Sequence, residues 1–75
     1  MQLRHDIKLI QFLQKVQKCQ EDVLFCTDEG DTLNLSSGLS QMVFITISEK
    51  PEILYNARIV CKNDEDRELL KDYIM

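Results

Sequence analysis

Residues 5–25, HDIKLIQFLQKVQKCQEDVLF, decide how the rest of the chain must fold. Leu9, Phe12, Leu13, Val16 and Cys19 recur at steps of three and four, and Gln11, Gln14, Lys15, Gln17 and Lys18 fill the positions between them. That period gathers the apolar side chains on one stripe of an α-helix. The spacing predicts a helix from Ile7 to Cys19, capped by the Asp6 carboxylate, with Lys15 and Lys18 set favourably near the negative end of its dipole. The stretch 22–27, DVLFCT, then changes to β formers, so the helix leads into a strand.

Asp28, Glu29 and Gly30 supply turn chemistry after that strand, and Thr32, Leu33, Asn34 and Leu35 alternate polar with apolar. The pattern is a hairpin, with Leu33 and Leu35 directed at the helices and Thr32 and Asn34 away from them. Ser36 and Ser37 offer caps for a helix of two or three turns carrying Leu39, Met42 and Val43. Residues 48–52, with the single proline Pro51, are expected to form a loop before a strand over 57–61. Asn63, followed by Asp64, Glu65 and Asp66, is a helix start, and Leu69, Leu70, Tyr73 and Ile74 are its expected buried stripe. The acidic run is read as a solvated helix entry.

Seventy-five residues, 44% of them hydrophobic, are enough for one small core, so residues 1–75 are expected to be a single domain. The formal charge is -4 and the nine basic residues are scattered, which disfavours nucleic acid and anionic membranes as partners. There is no run of about 20 apolar residues to span a bilayer and no signal region, so a cytoplasmic protein is expected. Cys19, Cys26 and Cys61 are an odd set, expected as reduced, small core residues. With His5 they have no zinc-ligand spacing, so neither metal nor cofactor is expected.

The order α-β-β-α-β-α, with HDIKLIQF at its start, LNLSSGLSQMVF in the middle and ARIVCKNDEDRELLKDYI at the end, resembles the phosphocarrier family HPr lacking its first strand. The Gln11-Phe12 pair stands at the family's distance from His5, and the resemblance covers nearly the whole chain. It implies an α+β fold, an open-faced two-layer sandwich with a small antiparallel sheet and helices on one face. Because four residues precede His5, the family's first strand is expected to be missing or reduced. The chain also resembles short HPr-like proteins of Gram-positive bacteria that lack the phosphotransfer residues.

The resemblance places the phosphoacceptor at His5, but the family's arginine and proline, two and three residues beyond the histidine, are Ile7 and Lys8 here. Arg4 or Lys8 could supply the missing cation, while Asp6 would repel a phosphoryl group. The family's regulatory serine falls at Ser37 or Gly38, depending on a one-residue gap in the hairpin, which makes Ser37 the candidate; as a plain structural residue it is a helix cap.

A non-enzymatic, protein-binding regulatory module is therefore expected, with a phosphocarrier using His5 in bacterial sugar transport or regulation as the alternative. The absent strand would bare the edge of the 57–61 strand, where Arg58 and Val60 lie, for a protein partner or a second copy. Residues 1–4 and a loop near Ile45 to Ile47 could instead cover the groups along that edge. Leu39, Met42, Val43 and Phe44 are candidates for a second contact surface, since Val43 and Phe44 cannot both easily face the core.

Overall fold

The apolar stripe of residues 7–19 becomes helix α1, Leu9–Val16, in the computed structural model, which describes residues 1–75. Phe12, Leu13 and Val16 are its buried side chains. The helix starts later than the sequence suggests: the cap position is Lys8, in extended backbone with no side-chain bond. Asp6 does not cap it, because its carboxylate is held by Arg4 at 3.2 Å.

Strands β1, Val23–Cys26, and β2, Thr32–Asn34, pair antiparallel with Phe25 opposite Leu33. Gly30 closes their turn with φ +92°, a left-handed conformation that a side chain would strain. Strand β3, Arg58–Cys61, lies on the other side of β1 with Phe25 opposite Ile59, giving the order β2-β1-β3. The two-residue period turns Val23, Phe25, Ile59 and Cys61 into the core. Leu33 packs against that core and Leu35, just past β2, is wholly buried, as their alternation predicts. Cys26 is the exception among the cysteines: it shares the open sheet face with Leu24, Arg58 and Val60.

Between the hairpin and β3 stand two helices, α2, Gly38–Ile47, and α3, Pro51–Asn56. The second begins inside the expected 48–52 loop, of which 48–50 stay non-helical, so the order is α-β-β-α-α-β-α. Pro51 occupies the first turn, where its missing N–H costs nothing and its fixed φ suits a helix. Leu54 anchors this short helix in the core.

Helix α4, Asp64–Leu70, begins as the sequence predicts, with the Asn63 side chain accepting the N–H groups of Glu65 and Asp66 at 2.8 and 3.2 Å. Leu70 is buried and Tyr73 and Ile74 pack on the core, but Leu69 is exposed. Asp66 departs from the expected solvated acidic run. It is 1% exposed and accepts the backbone N–H groups of Gln20 and Glu21 at 2.8 and 3.0 Å, tying the α1–β1 connection to α4.

All four helices place buried residues in the cluster that holds the inward side of the sheet. The result is an α+β fold with helices on one face and an open sheet face opposite. Phe44 meets Phe25 edge-on at 5.1 Å between ring centroids, and Phe12 lies 6.0 Å from Phe44. Each such burial contributes about 1.5–3 kcal/mol. No helix is long and apolar enough to cross a membrane.

The N-terminal segment also enters this core. Leu3 is buried and bridges Ile74, flanked by bonds of Arg4 to Tyr73 and of Gln2 to Met75.

Candidate functional site

Helix α2 carries no charged residue. Its polar residues are only Ser40, Gln41 and Thr46, and on a chain this small only one side of so apolar a helix can be covered. That side is centred on Phe44, which is wholly buried and therefore no part of a contact surface, a correction to its grouping with Leu39, Met42 and Val43. The competition between neighbours resolves as the helical period demands: Phe44 points in and Val43 is left at the surface. Leu39 is 74% and Met42 68% exposed, and Ile45 is also on the outside.

Across from Ile45, α1 exposes Ile10, a residue outside the stripe that defined the helix in the sequence. Ile7, Leu9 and Ile10 on one side and Ile45 on the other are the apolar lining of an open groove of about 740 Å³ between α1 and α2, with Lys8 and Gln14 on the first side and Ser48 on the second. Farther along, Gln17 and Gln41 join the two helices at 3.5 Å, and Gln41 also donates to the Leu35 carbonyl at 2.8 Å. Ile10 was not named from the sequence, its signal being an apolar residue off the core stripe of α1, and Ile45 was expected in a covering loop over 45–47, which is instead the last turn of α2.

The residues named for phosphotransfer are only partly assembled. His5 and Arg4 line one exposed cavity with Asp6 and Met75, whereas Lys8 lines the α1–α2 groove instead. The His5 ring lies against Tyr55 of α3, centroids 4.2 Å apart, a partner hidden from the sequence because α3 itself was. Arg4 makes a two-pronged contact with Asp6, Nε to Oδ1 at 3.2 Å and Nη2 to Oδ2 at 3.4 Å. These hydrogen bonds hold the Asp6 carboxyl below its ordinary value of 3.8. The cation nearest His5 in sequence thus already serves a carboxylate.

Ser37 is the cap residue of α2 and is exposed, but its side chain makes no capping bond. Arg58 is exposed and Val60 half-buried on the open sheet face, directly opposite Cys26 and Leu24. The β3 edge is not bare. Ile59 donates its N–H to the Met1 carbonyl at 2.6 Å, and the Cys61 carbonyl accepts from Arg67 Nε at 2.9 Å. The leading segment thus covers part of the β3 edge.

Burial pushes the Cys19 thiol from 9.0 up to about 11, helped by the Asp66 carboxylate and by Cys61, and burial raises Cys61 as well. Raised thiols hold their protons and are poor nucleophiles. His, Cys, Asp and Glu side chains nowhere gather in a group of three or more that could hold a metal ion. No protein-family model, curated protein or solved structure matches the chain.

Proposed function

We propose that the chain is a non-catalytic, HPr-like regulatory module that binds another protein through the outer side of α2 and the facing edge of α1. The observation that carries this reading is α2 itself: a charge-free helix that leaves Leu39, Met42, Val43 and Ile45 in water, beside an equally exposed Ile10. Apolar residues adjoining in this way are the usual mark of a contact surface rather than of a finished exterior. The HPr-like part of the reading rests on the order of the elements and on the quoted segments, with α3 as an addition.

The phosphocarrier alternative has less support. A phosphoryl group on an imidazole needs donors and a free cation around it. His5 is stacked on Tyr55, Arg4 is engaged by Asp6, and Lys8 faces another cavity.

The test is a photo-crosslinking amino acid at Met42, introduced into the chain in its native host, with the same group at Asp28 on the hairpin turn as control. A discrete adduct from Met42 alone supports the module. Equal labelling from both positions, or none, rejects it.

A further inference from the structure

We propose that the partner segment in the α1–α2 groove is an amphipathic helix with an acidic rim. This rests on the binding-module reading and adds the chemistry of the occupant. A groove between two helices presents ridges into which a third helix can pack, taking apolar anchors at i, i+3 or i+4 and i+7. Ile10 and Ile45 are the walls such anchors would meet.

The charge distribution selects the rim. The protein carries thirteen acidic residues and a net charge of -4, yet none of the acids falls between Ile7 and Gln20 or between Thr32 and Ser48. Those two stretches contain α1 and α2, and their only charges are Lys8, Lys15 and Lys18. Lys8 is in the groove wall itself, and the first turn of α1 contains no acidic residue to offset its dipole. Carboxylates stand only outside these stretches, the nearest in sequence being Asp6, which Arg4 already holds, and Glu21, Asp22, Asp31 and Glu49. Charges beyond about 8 Å are screened at physiological salt, so the local sign and not the net charge governs a docked segment. A second copy seated on the same face would bring lysines to lysines with no carboxylate on either pair of helices. Acidic side chains beside the apolar anchors resolve that mismatch.

The probe is a displayed library of helical peptides, randomised in sequence and selected against the whole chain, with the winners mapped by amide NMR shifts. The expected winners have apolar residues at helical spacing flanked by Asp or Glu, and move the amides of Ile10, Gln14 and Ile45. Ile45→Asp, an exposed position that leaves the core untouched, should weaken them roughly tenfold or more. Lys8→Glu should weaken them several-fold and flatten their salt dependence. Winners that are neutral or basic but occupy the same groove overturn the acidic assignment while the binding-module reading stands. Winners that map elsewhere, or no enrichment, overturn both. A concentration-dependent dimer protecting these same amides overturns the acidic helix in favour of a second copy.

Discussion

The Asp66 carboxylate receives the Gln20 backbone N–H at 2.8 Å from a residue 46 positions away in sequence. With Glu21 bound to its other oxygen, one buried side chain satisfies two amides of the α1–β1 connection. Asp66→Ala orphans both, and an unsatisfied buried donor is costly. The expected loss is about 3 kcal/mol, read from urea unfolding, with Asp66→Asn losing less because one acceptor remains. An unchanged midpoint for the alanine variant would show that the latch carries no stability.

Phe44 and Met42 are two positions apart on α2 and should respond in opposite ways. Phe44→Ala empties the site between Phe12 and Phe25 and should cost about 3–5 kcal/mol, with Phe44→Leu milder. Met42→Ser, at a solvent-facing position, should stay within about 0.5 kcal/mol. Thermal unfolding of the three variants fixes the rotation of α2: a stability loss at Met42 matching that at Phe44 would contradict it.

The Cys19 thiol binds its proton more tightly folded than unfolded. Below pH 9 both states are protonated and nothing changes. As pH rises from 9.0 through about 11 the unfolded chain ionises first, so this contribution to stability is lost over that window. The urea midpoint of the protein should therefore fall more steeply across it than that of Cys19→Ala. Parallel curves would remove Cys19 from the alkaline response.

His5→Ala should fold normally, since the ring is exposed and its stack on Tyr55 contributes about 0.5 kcal/mol. Incubation of the unmodified protein with phosphoenolpyruvate and enzyme I of the phosphotransferase system should add no phosphoryl group by intact mass. A stoichiometric gain that disappears in His5→Ala would establish the phosphocarrier instead.

What could be read from the residues was what local chemistry decides. The three- and four-residue steps from Leu9 to Val16, the Gly30 turn and the Asn63 cap each act over a few neighbours, and each formed as expected. Pro51 was misleading because the same ring that ends a helix can begin one, and the choice was made by Leu54 reaching the core. Asp6 had a cap position within reach, yet Arg4 bound it first. Asp66 looked like its acidic neighbours, and only the distant Gln20–Glu21 amides distinguish it. The same holds for the site: Leu39, Met42 and Val43 were legible as surplus apolar residues, while Ile10 and Ile45 became a groove only through packing of two helices.

The leading and trailing segments are laced together, Gln2 and Met75 exchanging backbone bonds on one side of the Leu3–Ile74 bridge. Mechanically this is a clasp. Tension applied at the two ends bears on that pair directly and opens it one bond at a time, in the geometry of a zipper rather than a shear joint. Once it parts, Leu3 leaves the interior and Met1 leaves Ile59, so a gentle pull would uncover a strand edge and a hydrophobic socket while the helices and hairpin stay whole.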